Sequence, residues 1–106
     1  MDLDIFKQKL GEYSKSEIII TNHAKGQAEV RQINLDEVKE NILHPDKLVF
    51  AEEQEAKGSK EKKYNCYFAY TEDYYHRYIM VLNGKILIVT IISINRKWQW
   101  AIEGKK

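Results

Sequence analysis

With 106 residues, the chain has room for one domain that buries roughly two-thirds of the surface exposed by its unfolded form. A hydrophobic content of 43% is ordinary for a globular protein, and 31% charged residues supply a soluble surface. The net charge of +1 excludes a bulk field that would draw the chain to nucleic acid or membrane, so a nucleic-acid role must rest on a local patch.

The lone Cys66 cannot close an intrachain disulfide. In its strand-like run it reads as a buried thiol, which favours a cytoplasmic home. The opening MDLDIFKQKL lacks the apolar core of a secretion signal. The longest apolar stretch, residues 86–94, is interrupted by Thr90 and Ser93 and falls far short of the ~20 residues of a spanning helix. No membrane partner is expected.

Residues 2–13 read as a helix capped by Asp2 or Asp4, with Leu3, Phe6 and Leu10 on one face and Gly11 weakening its end. Ser14-Lys15-Ser16 is a turn, and residues 17–20 (EIII) form a short β-branched strand. Thr21 or Asn22 then caps a second helix that runs to about Arg31. In the helix after it, Asn34 and Glu37 hold the N-cap and N3 places of a capping box, and Ile33 and Val38 are spaced as a hydrophobic staple. Leu35, Val38, Ile42 and Leu43 supply its buried stripe, and Pro45 ends it by forcing His44 out of the α region.

Residues 47–52 (KLVFAE) and 64–70 form strands, joined by a lysine-rich solvated loop over residues 54–63. Tyr64, Cys66, Phe68 and Tyr70 share one face of the second of these. Two apolar runs then flank Asn83-Gly84, a pair suited to the positive φ angles of a type I′ turn. With that two-residue loop, Leu82 faces Lys85, Met80 faces Leu87, Tyr78 faces Val89 and His76 faces Ile91, with Arg77 opposite Thr90. Both faces of the hairpin are mainly apolar, which places it at the centre of a sheet and covers it on both sides, at least in part. Trp98 and Trp100 follow a corner at residues 95–97. No internal repeat, linker or second domain is visible. Helices grouped before a run of strands give an α+β class, with N-terminal helices packed on one side of a curled antiparallel sheet of four to five strands.

The chain has no phosphate-binding glycine loop, nucleophile elbow or paired-cysteine site. His23, His44 and His76 lack the close spacing of a metal pair, so neither a metal nor another cofactor is expected. The acidic residues are scattered and suggest no paired-carboxylate hydrolase.

One segment resembles a known pattern. Ile20-Thr21-Asn22-His23-Ala24, then Arg31-Gln32-Ile33, then residues 35–45 are similar to the small RelE/BrnT-like toxin-superfamily domains. There a strand passes into T-x-H-A, a helix leads to R-x-I, a second helix ends near Pro and antiparallel strands follow. The match covers about 25 residues in detail and the later strands only in order. Four residues after the His, where such domains commonly carry Arg, this chain has Gln27. The resemblance implies a single RelE-like domain, residues 17–106, with residues 1–16 as a helical addition. It further implies a metal-independent endoribonuclease acting on mRNA, in some members on the ribosome, restrained by a cognate antitoxin.

Such chemistry needs a base at a ribose 2′-hydroxyl, cations on the phosphorane and an acid at the leaving oxygen. His23 matches the family's His, where the first helical turn favours a neutral imidazole, or else it only packs at the strand–helix junction. Arg31 matches the second basic position, a fork for phosphate or a surface charge that suits the helix end. His76 and Arg77 open the hairpin on opposite faces, so at most one faces a given pocket. Arg77 is the better phosphate ligand. His76 is an alternative proton-transfer group or a core histidine against Ile91.

Tyr75 suits stacking on a base, and Arg96 and Lys97 beside Trp98 mix basic and aromatic groups as an RNA-contacting edge does. Paired tryptophans equally suit an apolar sheet face. The competing expectation, of another class, is a non-catalytic binding or assembly module of the same fold, serving a protein partner or a homodimer.

Overall fold

The computed structural model describes residues 2–54 and 61–95. Side-chain caps set the helix starts. The Asp2 carboxylate accepts from the Asp4 and Ile5 N–H groups at 2.9 and 3.2 Å to start α1 (Leu3–Gly11), whose Phe6 and Leu10 are buried. A 3₁₀ turn (Lys15–Glu17), closed by the Ser14 N–H donating to Glu17 Oε1 at 2.8 Å, leads into β1 (Ile18–Ile20). Thr21 Oγ1 accepts from the Ala24 N–H at 3.1 Å and starts α2 (Asn22–Val30). Asn34 accepts from the Asp36 and Glu37 N–H groups and starts α3 (Leu35–Leu43), with the staple pair Ile33 and Val38 both buried. A 3₁₀ turn (Pro45–Lys47) follows at the proline. The remaining strands are β2 (Leu48–Gln54), β3 (Lys62–Ala69), β4 (Tyr74–Leu82) and β5 (Ile86–Asn95).

The five strands form one open sheet in the order β1-β5-β4-β3-β2, so the hairpin β4–β5 is interior, as its two apolar faces require. The sheet is mixed rather than wholly antiparallel. β1 lies parallel to β5, Ile18 opposite Ile86 and Ile20 opposite Ile88, while the other neighbours are antiparallel. Strand direction leaves no mark in the sequence, because side chains alternate with period two either way.

The hairpin register also differs from expectation. Leu82 pairs with Ile86 across a three-residue loop, and of the loop residues only Gly84 has positive φ (69°). A type I′ turn needs positive φ at both central positions, and Asn83 does not supply it. Between the pairs Met80–Ile88 and Ile79–Thr90 the register shifts again, leaving Val89 as a bulge. Tyr78 therefore faces Ile91, and His76 faces Ser93 rather than Ile91. The two shifts bring Ile86, Ile88 and Ile91, all 0% exposed, to the same face as His76, Tyr78 and Met80.

All three helices bury into that one face. Phe6, Leu10, Ala24, Ala28, Val38 and Ile42 form a single cluster with Leu48, Tyr64, Cys66, Phe68, Tyr78 and the β5 isoleucines. α1 thus contributes two side chains to the common core. On the other face Ile79, Leu87 and Ile92 are half-buried, Asn65 and Tyr67 are buried, and no described helix packs there.

Candidate functional site

The residues proposed to act on a phosphate occupy four separate settings. His23 is in the first turn of α2 and exposed. Arg31 is the C-cap of the same helix, also exposed, and its Nη1 donates back to the Gln27 carbonyl at 3.3 Å. They are eight positions apart along the helix, about 12 Å along the axis. The Arg31 guanidinium therefore neutralises the carbonyl end of its own helix, a local role that needs no ligand.

His76 lies on the core face and is 2% exposed. Asn41 Nδ2 donates to the Tyr78 hydroxyl at 3.0 Å, and that hydroxyl is 3.2 Å from His76 Nδ1. With its oxygen accepting from Asn41, the Tyr78 hydroxyl still has its hydrogen to give, and donating it to Nδ1 goes with the neutral tautomer protonated on Nε2. The Tyr70 ring stacks on the imidazole with centroids 4.0 Å apart. Burial holds the His76 pKa below the ordinary 6.5, with Glu37 pulling it up and Lys47 pushing it down. Tyr78 is pushed well above the usual phenol range, again by burial. The result is a hydrogen-bonded polar line inside an apolar core, from α3 to β4. Cys66 is buried on the same face, and burial pushes its thiol up, away from the nucleophilic thiolate.

Arg77 points the other way. Its Nε donates to Asn65 Oδ1, and its guanidinium carbon sits 5.8 Å from the centroid of the Tyr67 ring. Asn65, 2% exposed, donates through Nδ2 to Glu52 Oε1 at 3.1 Å and to the Tyr67 hydroxyl at 3.0 Å. Glu52, Asn65 and Arg77 thus form a polar line crossing β2, β3 and β4, with the Phe50 and Tyr67 rings 5.6 Å apart beside it. Tyr75, two residues before Arg77 in the same regular strand, shares this face and is half-buried. Arg96 and Lys97 lie outside the described residues, as do Trp98 and Trp100.

The structure brings Arg77 and Tyr75 to one side of the sheet. It separates both from His76, which is on the opposite side, and His23 and Arg31 lie at the two ends of α2. Two cavities flank the sheet edges. One of about 650 Å³ lies between α1 and β2, and one of about 420 Å³ lies beside β1. None of the four proposed catalytic residues lines either of them.

Asn41, Glu52 and Asn65 were not singled out from the sequence. Asn65 carried a signal, as an amide at the centre of a strand of aromatic and apolar residues, where Asn is depleted. Comparison of the chain with protein-family models, with curated proteins and with solved structures finds no match.

Proposed function

We propose that this chain is a non-catalytic, protein-binding or assembly module, on a RelE-like architecture that has kept the fold without the ribonuclease chemistry. What supports this reading is the dispersal of the candidate groups. In-line attack by a 2′-hydroxyl needs a base, an acid and a cation within hydrogen-bond reach of one phosphate. Here His76 is sealed in the core and Arg77 is tied to Asn65 on the far side of the sheet. His23 and Arg31 stand about a dozen ångströms apart along α2. The polar lines that do form bond His76 to Tyr78 and Asn41 and Arg77 to Asn65 and Glu52, partners within the chain, as structural networks do.

The test is induced expression with mapping of RNA 5′ ends. Growth continues and the RNA ends match those of an uninduced culture, with His23→Ala and Arg31→Ala indistinguishable from wild type. Growth arrest with new RNA ends, relieved by either substitution, overturns the binding-module reading and restores the nuclease.

A further inference from the structure

β1 forms one margin of the sheet. It pairs with β5, and no described strand lies against its other side. The Thr21 N–H donates to the Ile88 carbonyl at 3.0 Å, on the β5 side. By the alternation of a strand, the main-chain groups of Ile19 then also point to β5, and those of Ile18 and Ile20 point outward. The Ile18 N–H is taken up by the Lys15 carbonyl. The Ile18 carbonyl and both the N–H and the carbonyl of Ile20 bond to no described residue. Such an edge is a template for a further strand, and β1 carries neither the charge nor the proline that commonly guards one.

The cavity of about 420 Å³ lies along this edge, lined by the three isoleucines of β1, by Lys25 of α2 and by Leu35, Asp36 and Lys39 of α3. Its volume is within the range of sites that hold ligands. Ile18 and Ile20 turn into the core beneath the helices, whereas Ile19, 43% exposed, stands on the opposite face. The two faces of an incoming strand therefore meet different surroundings, two lysines and Leu35 on the helix side and Ile19 on the other.

Charge selects the occupant. Asp36 is the one carboxylate among the lining residues, and Lys15 pairs with it at 3.7 Å. Lys25 and Lys39 are in no ion pair with a described residue. A second copy docking edge to edge would bring two sets of lysines to the same face, which like charges disfavour. The end of this chain, with Arg96, Lys97, Lys105 and Lys106 against Glu103, is disfavoured by charge in the same way. A phosphate backbone matches the lysines but offers only acceptors, and two of the three outward main-chain groups are acceptors as well. An extended acidic polypeptide brings negative charge together with N–H groups.

We propose that the outer edge of β1 takes an extended acidic segment of another protein as an added strand. The Ile18 carbonyl and the N–H and carbonyl of Ile20 supply the main-chain bonds, and alternate side chains supply selectivity. The residue that pairs with Ile19 is apolar and packs against it on the open face. The residues on either side of it are Asp or Glu and meet Lys25 and Lys39 on the helix face. This rests on the binding-module reading and names the partner class for it.

The probe is a pair of short synthetic peptides, alternating Glu-Val and alternating Lys-Val, titrated into the ¹⁵N-labelled full chain. The Glu-Val peptide shifts the amides of β1 and of the facing turns of α2 and α3, and binds at least roughly tenfold more tightly than the Lys-Val peptide. Hydrogen exchange at the Ile20 amide slows at least roughly tenfold in the complex, while the Ile19 amide, already directed to β5, changes little. Lys25→Glu, a change at an exposed side chain, weakens the Glu-Val peptide by roughly fivefold or more and leaves the rest of the spectrum in place. Lys39→Glu weakens it comparably.

Equal binding of the two peptides, shifts confined to other elements, unchanged exchange at Ile20, or indifference to both substitutions overturns the site. Self-association of the free chain through β1 overturns it in favour of a second copy. An oligouridylate that shifts the same amides and displaces the Glu-Val peptide overturns it in favour of RNA. Failure of peptide binding with harmless expression leaves the binding-module reading standing. RNA cleavage that depends on His23 removes both.

Discussion

The Gln27 side-chain oxygen accepts a hydrogen bond of 3.0 Å from the Ile91 backbone N–H. β1 covers β5 only as far as Ile88, so the edge of β5 beyond that point has no described strand beside it and α2 takes the place of one. Gln27 supplies the acceptor that a neighbouring strand would otherwise give, next to the bulge at Val89. A guanidinium, which has only donors, could not take this place. Gln27→Ala should cost roughly 1–3 kcal/mol by leaving a part-buried N–H unpaired, and Gln27→Arg at least as much, whereas Gln27→Glu retains the acceptor and costs less. Urea unfolding at constant m-value measures the series. A Gln27→Arg variant as stable as wild type would remove the structural account of this residue.

α2 ends in a Schellman motif with an unusual residue at its left-handed position. The Ile33 N–H donates to the Ala28 carbonyl at 2.8 Å and the Gln32 N–H to the Glu29 carbonyl at 3.1 Å, with Gln32 at φ 56°. A side chain other than Gly is strained there by roughly 1–2 kcal/mol. Gln32→Gly should therefore raise stability by about 1 kcal/mol despite the added freedom of the unfolded chain, and Gln32→Val should lower it. Thermal unfolding decides between these signs.

The residues that set local structure were plain in the sequence, and those that set partnership were not. Asp2, Thr21 and Asn34 each cap the helix that their position indicated, because a cap is a contact within three residues. The His76/Tyr78/Met80 stripe of β4 reached the core for the same local reason, strict alternation. The β4–β5 register departs from that of a plain two-residue hairpin because it depends on the backbone of Asn83 and on a bulge held from α2, and neither is visible in a hairpin read alone. Likewise, Arg77 and His76 were read as opposite-facing from their spacing. That Arg77 would be held by an amide twelve residues earlier, and His76 by a tyrosine bonded to α3, depends on strand order. The expected solvated loop at residues 54–63 gives way to strand at both ends, β2 reaching Gln54 and β3 beginning at Lys62; residues 55–60 lie outside the described chain.

Asn65 holds three strands in register. Both of its amide hydrogens and its carbonyl oxygen are bonded, to Glu52, Tyr67 and Arg77, on a buried part of the sheet face that carries no described helix. Removing it leaves a guanidinium and a hydroxyl without those partners, so Asn65→Ala should cost roughly 1–3 kcal/mol. Asn65→Leu combined with Arg77→Met removes donor and acceptor together and should cost less than the sum of the two single changes. Strict additivity in that cycle would mean that the Asn65–Arg77 bond has no energetic weight.

His76 should make the fold sensitive to mild acid. The groups that face it are the Tyr78 hydroxyl, the Tyr70 ring and the charges of Glu37 and Lys47, with burial as the dominant influence. The folded-state pKa is lowered, so the unfolded chain binds the proton more readily. Stability from the neutral imidazole is present in full above the ordinary value of 6.5 and is lost as pH falls from there through the lowered folded value. Protonation also puts a hydrogen on Nδ1, so the Tyr78 hydroxyl can no longer donate to it while accepting from Asn41. The melting temperature should hold steady between about pH 8 and about pH 7 and decline toward about pH 5, above the range in which most carboxylates titrate. His76→Gln keeps an acceptor without the titration and should flatten that decline, though it lowers stability at neutral pH. A slope unchanged by His76→Gln would show that the acid sensitivity arises elsewhere.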